Sequence, residues 1–593
     1  MNQSWHSGPN HRSAKDKRMR NPTTLLILLA AIILTLCLIP NPHPVQAAAS
    51  PAPLNPTVPP LTNPDAVCAS CHQSIYARYE QTPMAQGSGL ATSALQPGAF
   101  HHAPSNIDYR VFSRDGQPVM SFTRTSASEP LQGERPLTYF IGSGRHGRTY
   151  LYQLEGQWFE LPINFYTRRN TWAMAPAFDD ARTMPAVLPV DPNCLHCHAT
   201  AVQPSLPTAR NRFSSAPFLQ GGIGCSACHG DPTQHLAAHG HAAILNPAKL
   251  TPTRRDSACI QCHLEGDAVV YRPGHSLAQF LPGEDLADTA VYFVRASQQS
   301  GGSRASSQYE ALLRSACKRA TGDRLTCTSC HDPHSTPSPA ERVQFFRARC
   351  LSCHTSPKLA SEHHPDQPDC ASCHMPTRPT ADISHEQLTD HDIEARPRSY
   401  PSTTPHPDDP LIPVGNTPAT AADYGMAYAQ LATHANHQQH DQQQALHYLT
   451  EAPKEIEQPQ ATKPQPDPLL YTQLGFLHQL EAQPLEARTA YLTALQQDPY
   501  QPTALANLAV LDASSGQIEE AIHLLDRLIQ ADPSQTPAGL NLAWIECKLG
   551  HPAEALTLLH RLEPFNPDDP QLRLFERDGA YASQHCALSP PQK

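Results

Sequence analysis

The sequence predicts a mainly α-helical protein with many loops and small β-hairpins, in which a Cys- and His-rich region is followed by an α-solenoid. Three observations support this fold class. The motif C-x-x-C-H occurs seven times between residues 68 and 374. The clearest strand patterns lie between the first two copies. The C-terminal part repeats every 34 residues, which is typical of stacked helix pairs.

Residues 1–47 have the pattern of a secretory signal peptide. A basic segment precedes an apolar run from Thr24 to Ile39, and Val45-Gln46-Ala47 offers small residues for cleavage. The run is short for a membrane span, and an uncleaved anchor is the alternative. A Pro-rich leader, 48–64, follows. We therefore expect an exported protein on the periplasmic or extracellular side of a bacterial membrane, with no stable span in the mature chain.

The seven motifs predict seven covalently attached c-type haems. Residues three and four apart on a helical turn share one face, so two thiols can reach one porphyrin while the next His ligates its iron. Zinc knuckles are the alternative, but zinc sites need motifs that pair into four-ligand sets and need no His after every second Cys. The predicted haem-binding cysteines are Cys68, Cys71, Cys194, Cys197, Cys225, Cys228, Cys259, Cys262, Cys327, Cys330, Cys350, Cys353, Cys370 and Cys373. The motif histidines predicted to ligate iron are His72, His198, His229, His263, His331, His354 and His374.

Residues 65–395 are predicted to form the haem-binding domain. The amino-acid composition agrees with a domain whose core is filled largely by porphyrin. The chain has 61 prolines and is only 39% hydrophobic, which is unusual for a helical protein of 593 residues. Bound haem would occupy volume that Leu and Val otherwise fill. A net charge of −11 excludes a general basic surface for nucleic acid.

Two hairpins are predicted between the first and second motifs. One joins Tyr109–Phe112 to Val119–Phe122 through a turn containing Asp115-Gly116. The other joins Thr149–Tyr152 to Trp158–Leu161 through Glu155-Gly156.

A Pro-rich stretch, 396–418, is predicted to be a semi-rigid linker, and 419–585 to be a tetratricopeptide repeat domain. Three sets of residues recur at the 34-residue interval: Pro499, Pro533 and Pro567; Leu474, Leu508 and Leu542; Ala487, Ala521 and Ala555. Tyr424–Leu449 is predicted to be a degenerate earlier unit and Gln571–Ala582 a capping helix. Cys547 and Cys586 are either thiols or a disulfide.

The sixth iron position of each haem needs a ligand from outside its motif. A second His makes the iron six-coordinate, so that it exchanges electrons without binding substrate. Met174 and Met375 are alternatives, and His101, His239, His241 and His363 compete with neighbouring candidates. The candidate distal ligands are His102, His146, His235, His275, His334, His364, His385 and His391.

Several segments resemble the multihaem cytochrome c superfamily, specifically cytochrome c-554-like domains fused to tetratricopeptide repeats. They include FHHAPS around His102, GSGRHGRTYLYQ around His146, GCSACHGDPTQH and CTSCHDPH. The resemblance implies that His102, His146, His235 and His334 are distal ligands. Gln308 departs from the pattern, because relatives often carry a His there. Either His275 replaces it or one haem is unusual.

Electron transfer is the predicted function, because closely packed haems form a continuous relay. The repeats would dock a redox partner protein or a membrane complex. The alternative is a multihaem oxidoreductase with one open iron that acts on a small nitrogen or sulfur compound. A C-x-x-C-K motif is absent: Arg314–Lys318 lacks its first Cys, and Cys317 is predicted to be a buried thiol. A pure scaffold would leave the seven motifs unexplained.

Overall fold

A computed structural model describes residues 60–126, 130–176, 178–297, 307–355, 368–377, 389–394, 409–432, 438–456 and 467–577. The predicted signal peptide, residues 48–59 of the leader, much of the linker, His363, His364, His385 and Cys586 lie outside these residues. No helix in the described ranges is both long enough and apolar enough to cross a bilayer.

The described strands lie mostly before the third motif. They are β1 (Ser88–Leu90), β2 (Gly98–His102), β3 (Ile107–Arg114), β4 (Gln117–Arg124), β5 (Leu131–Pro136), β6 (Tyr139–Ile141), β7 (Gly147–Leu154), β8 (Gln157–Glu160), β9 (Ile163–Tyr166), β10 (Thr171–Met174), β11 (Leu188–Pro189), β12 (Ala199–Val202), β13 (Phe218–Gly221), β14 (Ala268–Tyr271), β15 (Ala290–Arg295) and β16 (Leu411–Pro413).

Short α-helices dominate the motif region and longer ones the repeats. They are α1 (Ala69–Tyr79), α2 (Pro192–His196), α3 (Ser226–His229), α4 (Thr233–Ala237), α5 (Pro252–His263), α6 (Leu286–Thr289), α7 (Gln308–Arg314), α8 (Ala316–Thr321), α9 (Cys327–Cys330), α10 (Arg342–Leu351), α11 (Cys370–His374), α12 (Ala421–Leu431), α13 (Gln438–Ile456), α14 (Pro468–Leu480), α15 (Pro484–Gln497), α16 (Pro502–Ser514), α17 (Ile518–Ala531), α18 (Thr536–Lys548), α19 (Pro552–Leu562) and α20 (Pro570–Arg577). Single 3-10 turns cover Pro64–Val67, Ala91–Ser93, Pro247–Lys249, Leu277–Gln279, Gly322–Arg324, Val414–Asn416 and Glu563–Phe565.

Both predicted hairpins are confirmed. Strand β3 pairs antiparallel with β4, and β7 pairs antiparallel with β8. Each turn has two central residues at positive φ: Asp115 and Gly116 at 50° and 82°, Glu155 and Gly156 at 48° and 78°. Such two-residue turns match the right-handed twist of the flanking strands, which explains the Gly at the second position.

The prediction of a mainly α fold with only small hairpins is wrong for the segment between the first two motifs. There β2–β5 form a four-stranded sheet, and β1 and β6–β11 form a seven-stranded one. The missed strands are two to six residues long, and two of them, β6 and β9, are largely buried on both faces. Such strands show no two-residue alternation, which is the pattern that identifies strands in a sequence. The fold is therefore mixed α/β.

Aromatic side chains fill the core of these two sheets. Tyr109 and Phe122 come from the four-stranded sheet, and Tyr150, Phe159 and Trp172 from the seven-stranded one. All five are at most 4% exposed. This segment therefore has an ordinary hydrophobic core of its own.

A third sheet connects the motif region to the repeats. Strand β16 lies inside the predicted linker 396–418 and pairs antiparallel with β15, which also pairs with β14. Phe293 of β15 and Leu411 of β16 pack in one cluster with Tyr428 of α12 and Leu449 of α13. The described end of the predicted linker is thus part of a packed sheet.

The predicted tetratricopeptide architecture is confirmed. Helices α14 and α15, α16 and α17, and α18 and α19 follow one another as pairs, and Ala487, Ala521 and Ala555 are fully buried in the second helix of each. At Gly475 in α14, an added Cβ would lie 2.6 Å from the Tyr491 ring of α15, so the close approach of the two helices requires Gly there. The pair α12 and α13 covers the predicted degenerate unit, and α20 covers the described part of the predicted cap.

The last repeats pack on the sheets between the first two motifs. Phe565 follows α19 and lies in the core of those sheets, with its ring 6.0 Å from that of Phe159. The buried Gln157 side chain donates to Asp532 at 2.8 Å. Asp568 forms buried ion pairs with Arg124 of β4 and with Arg573 of α20. The solenoid therefore contacts the motif region at both of its ends.

Candidate haem sites

The described motifs lie on short helical turns, as their spacing requires. The backbone N–H of the motif His donates to the carbonyl of the first Cys at 2.8 Å for His72, 2.9 Å for His229, and 3.0 Å for His331 and His354. Each hydrogen bond closes one helical turn, so both thiols and the imidazole leave the same face. This is the arrangement that thioether attachment and iron ligation need on one porphyrin.

Thiols of different motifs lie near each other in pairs. The Cys68 thiol of the first motif is within 4.8 Å of the Cys225 thiol of the third, and Cys262 of the fourth motif is near enough to Cys197 of the second to shift its pKa. The fourth and fifth motifs have neighbouring thiols of the same kind, as do the sixth and seventh. Those two pairs are Cys259 with Cys327 and Cys350 with Cys370.

Two further pairs of neighbouring cysteines link the remaining motifs. Cys228 of the third motif lies close enough to Cys259 of the fourth to raise its pKa, and Cys330 of the fifth is similarly close to Cys353 of the sixth. In each of the seven motifs, at least one cysteine therefore interacts electrostatically with a cysteine of another motif, and these interactions link all seven. The fourth motif is the junction, because it adjoins the second, third and fifth.

Two buried Asp residues hold neighbouring motifs in register. Asp65, which is 6% exposed, accepts from the Cys225 backbone N–H at 2.9 Å and from Gln220 at 2.7 Å. Asp256, which is 3% exposed, accepts from the Cys327 N–H at 3.0 Å. Each precedes the first Cys of its own motif by three residues and contacts the first Cys of another. Sequence analysis missed both, although this shared Asp-x-x-Cys spacing was a visible signal.

Carboxylate and thiol atoms also come together around Asp65. Its carboxylate and the Cys68 and Cys225 sulfur atoms lie within 4.8 Å of one another. Both cysteines open C-x-x-C-H motifs, so haem attachment accounts for them more fully than a separate metal ion. The carboxylate is engaged by the hydrogen bonds that position Cys225.

Two pairs of imidazoles face each other in the way that axial ligands of one iron would. The ring centres of His229 and His334 are 6.0 Å apart with planes at 14°, and those of His331 and His391 are 6.1 Å apart with planes at 26°. Two imidazoles whose nitrogens each lie about 2 Å from a shared metal have ring centres roughly 6 Å apart. Each pair joins a motif His to a predicted distal His.

Backbone carbonyls fix the orientation of several of these rings. The Nδ1 atom of His229 bonds to the Leu245 carbonyl at 2.9 Å, that of His391 to Thr389 at 2.9 Å, and that of His235 to Ala242 at 2.7 Å. A ring whose Nδ1–H donates to a carbonyl presents Nε2 to a metal. The Nδ1 atom of His374 has the same kind of partner, the Glu394 carbonyl, at 2.6 Å.

The predicted distal ligands differ in how well their surroundings suit ligation. His102 is 7% exposed and has both ring nitrogens bonded to oxygen, Nδ1 to Ser105 at 2.7 Å and Nε2 to the Asp179 carbonyl at 2.9 Å. That bonding does not favour iron ligation by His102. His275 is exposed, with Nδ1 bonded to the Pro273 carbonyl at 3.1 Å. His146 is half-buried in the turn between β6 and β7, and its assignment stays a prediction.

Protein atoms around the motifs desolvate the ligand groups. Desolvation, with smaller contributions from His391 and His263, lowers the pKa of His331 to about 4, although solvent still reaches its ring. The ring is therefore neutral near pH 7, which is the form that binds iron. Burial also raises the pKa of the Cys194 and Cys228 thiols to about 11. Facing imidazoles, fixed tautomers and desolvated thiols together fit covalently attached haem, which supplies one-electron redox chemistry when bound.

Comparison with family models gives three matches along the chain. A model described as cytochrome c554 and c-prime matches residues 168–230, a doubled CXXCH motif model matches 319–359, and a tetratricopeptide repeat model matches 480–539 and 513–576. No curated protein matches significantly. Together, the three matches support a cytochrome c region fused to tetratricopeptide repeats.

Solved structures similar to the chain align with a minor part of it. A tetratricopeptide repeat protein from Parabacteroides merdae is 19% identical over 28% of this chain and 64% of its own, with a TM-score of 0.23. MamA is 15% identical over 26% of this chain and 81% of its own, with a TM-score of 0.20. YrrB is described as a tetratricopeptide repeat protein with an unusual peptide-binding site. It is 17% identical over 26% of this chain and 74% of its own, with a TM-score of 0.22. This chain thus spans less than two thirds of the length of the Parabacteroides merdae protein.

Proposed function

We propose that this protein is a seven-haem c-type cytochrome that relays electrons through closely packed, mostly bis-His haems. The observation that carries the proposal is that each motif has a cysteine near a cysteine of another motif. Every motif adjoins at least one other, so an electron that enters at one haem has neighbours to pass to. The facing pairs His229–His334 and His331–His391 support six-coordinate iron at two of the sites.

Bis-His ligation suits a relay rather than catalysis. An iron with two imidazole ligands has no position for substrate, and it changes oxidation state with little rearrangement. The backbone carbonyls that fix His229 and His391 hold the two rings in one orientation. A fixed coordination sphere favours electron transfer because neither ligand has to move.

The repeats would hold a redox partner at a fixed distance from the haems. They pack against the motif region through β16 at one end and through Phe565 at the other, so a protein bound to them cannot swing relative to the motifs. Large apolar side chains remain exposed on the repeats, among them Leu485 at 76% and Trp544 at 45%. Such side chains suit a protein surface or a peptide, which are the usual ligands of stacked helical repeats.

Export to the periplasmic or extracellular side completes the proposal. The predicted signal peptide supports it, as does covalent haem attachment through C-x-x-C-H motifs. We infer that the mature chain begins near the Pro-rich leader and that its linker and repeats follow at the predicted boundaries.

A mass measurement on the exported holoprotein tests the haem count. The full chain is produced in a bacterium that attaches c-type haem, recovered from the periplasm, and analysed by denaturing mass spectrometry and a haem absorbance assay. We expect the mass of the processed polypeptide plus seven haems. Replacing Cys370 and Cys373 with Ser should remove one haem and leave six. A protein with the mass of its amino acids alone would contradict the proposal, and so would a mass that the double substitution leaves unchanged.

A further inference from the structure

Two neighbouring turns of the seven-stranded sheet carry exposed arginines. The turn between β6 and β7 contains Arg145, and the turn between β9 and β10 contains Arg168 and Arg169. All three side chains are exposed. Strands β7 and β9 pair antiparallel, and the Thr167 N–H joins the two turns by donating to the His146 carbonyl at 2.9 Å. The three arginines therefore lie at the same end of the sheet.

A fourth arginine, Arg148, is half-buried and holds this end of the sheet together. Its guanidinium donates to the carbonyls of Gly142 at 3.1 Å, Ser143 at 3.1 Å and Ala94 at 2.9 Å. It also lies over the Phe140 ring, 4.5 Å from the ring centre. Carbonyl oxygens satisfy the N–H groups but do not cancel the positive charge. We define the basic surface as Arg145, Arg148, Arg168 and Arg169.

No acidic residue in the adjoining segments offsets these charges. Segments 85–98, 142–148 and 166–174 meet here, joined for example by the Trp172 side chain, which donates to the Gln96 carbonyl at 3.2 Å. Together they contain four Arg and neither Asp nor Glu. In the part of the chain that the structure describes, no carboxylate forms an ion pair with any arginine of the basic surface. Since the whole chain has a net charge of −11, the basic surface is a local positive region on an acidic protein.

The basic surface lies next to the second C-x-x-C-H motif. The Gly142 N–H donates to the Gly87 carbonyl at 2.8 Å. The residue after Gly87 is Ser88, which is buried and whose hydroxyl donates to the His198 carbonyl at 2.8 Å. Two adjacent residues thus connect the β6–β7 turn to the motif His. Cys194 of the same motif is exposed, so a haem attached there would be close to the protein surface.

We propose that the basic surface docks an acidic protein that exchanges electrons with the haem of the second motif. The inference rests on the proposed relay and adds to it a second docking site, separate from the repeats. A relay needs one place where electrons enter and another where they leave. Complementary charge speeds the encounter of two proteins and orients them as they meet.

An acidic protein fits the basic surface better than a membrane or a small anion does. Binding within a lipid interface uses apolar side chains that insert below the headgroups. Within the described residues, the exposed large apolar side chains include none from the three segments. Arg168 and Arg169 are exposed on one turn and Arg145 on another, with no enclosed recess between them in which donors converge on one ion. Such spaced charges match an extended acidic patch.

The rate at which an acidic donor reduces the full-length holoprotein measures docking. Reduced flavodoxin, a small acidic flavoprotein, is the probe, and rapid mixing is repeated over a range of ionic strength. Combining Arg168→Gln with Arg169→Gln should lower the second-order rate constant at low salt at least about five-fold and weaken its dependence on salt. At about 1 M salt this double variant and the wild type should react alike, because the Debye length is then about 3 Å.

A matched control removes two exposed positive charges elsewhere. Lys548→Gln combined with Arg561→Gln changes the net charge equally, but on the repeats, and should react as the wild type does. Equal flavodoxin rates in the two double variants would overturn the docking site and leave the relay intact. The methyl viologen radical, a small cationic reductant, should reduce the haems of every variant to the same final extent. Its failure to reduce the wild-type haems would contradict the proposed relay itself.

Two further measurements test other roles for these arginines. A redox titration should give the same haem midpoint potentials in the wild type and in the Arg168 and Arg169 double variant. A shifted potential that persists at about 1 M salt would overturn the inference, because it would assign the arginines to a haem propionate. Vesicles of phosphatidylcholine and phosphatidylglycerol should bind neither protein. Sedimentation of the wild type with these vesicles, without the double variant, would overturn the inference in favour of a membrane surface.

Discussion

The imidazoles of His229 and His334 lie nearly parallel, with ring centres 6.0 Å apart, although 104 residues separate them in the chain. One belongs to the third C-x-x-C-H motif and the other follows the fifth. If these rings ligate iron as proposed, the segment around the fifth motif would supply one ligand to its own haem through His331 and another to a different haem through His334. Such shared ligation would make the folding of neighbouring sites interdependent.

Removing the distal imidazole should change the spin state of one haem. In His334→Ala the iron held by His229 would lose its second strong ligand, so we expect one haem in seven to become high-spin and to bind added cyanide. Electron paramagnetic resonance of the oxidised protein measures this. His560→Ala removes an exposed imidazole of α19, far from the motifs in the chain, and serves as the control. An unchanged low-spin spectrum in a folded His334→Ala protein would show that His334 is not the ligand.

Deleting the junction motif should impair the relay more than deleting a terminal one. Replacing Cys259 and Cys262 with Ser removes the haem that adjoins the second, third and fifth motifs, whereas replacing Cys370 and Cys373 removes one at the end of the connected set. We expect reduction by a fast one-electron donor to become multiphasic in the first variant and to stay nearly single-phase in the second. Rapid-mixing absorbance measures the phases. Equal kinetics in the two six-haem variants would contradict the inferred order of contacts.

The buried carboxylate of Asp568 should stabilise the contact between the last repeat and the sheets. It pairs with Arg124 and Arg573 and accepts from the Met184 N–H at 2.6 Å. Asp568→Asn removes the charge while both guanidinium groups stay buried, so we expect a loss of about 3–5 kcal/mol in the free energy of unfolding. Denaturant unfolding followed by fluorescence measures it. Glu134→Gln breaks the more exposed pair with Arg114 and should have much less effect. Similar losses from both substitutions would contradict the structural role of Asp568.

The carboxyl group of Glu160 should make stability fall as pH rises. Burial raises its pKa to about 7, so between the unfolded value near 4.5 and about 7 the folded state binds more protons than the unfolded state. The stability contributed by the neutral carboxyl is therefore present below pH 4.5 and lost as pH rises through 7. Because the side chain is only partly buried by surface area, we expect roughly 1–2 kcal/mol.

Comparing Glu160→Gln with wild type isolates this effect, since other titrating groups cancel in the difference. The melting temperature of the variant should rise relative to that of wild type between pH 5 and 8, and the difference should level off above pH 7. Glu486→Gln alters an exposed carboxyl on α15 and should give a flat difference. A flat difference for Glu160→Gln would refute the prediction.

The sequence by itself determined the cofactor chemistry and the solenoid. The spacing within C-x-x-C-H is a local property, because one helical turn brings the thiols and the imidazole to one face. The 34-residue period is also local, since each helix pair packs only on its neighbours. The turns at Asp115-Gly116 and Glu155-Gly156 were equally predictable, because two positive φ angles favour such residues.

Only the tertiary structure decided how these parts meet. The pairing of His229 with His334 and the hydrogen bond from the Cys225 N–H to Asp65 join residues of distant segments, and no periodicity links their positions. The short strands β6 and β9 to β11 are fixed by their partners across the sheet rather than by alternation. The packing of Phe565 into that core depends on where the solenoid ends. A sequence encodes local turns directly, whereas contacts between distant segments depend on the summed packing of the whole chain.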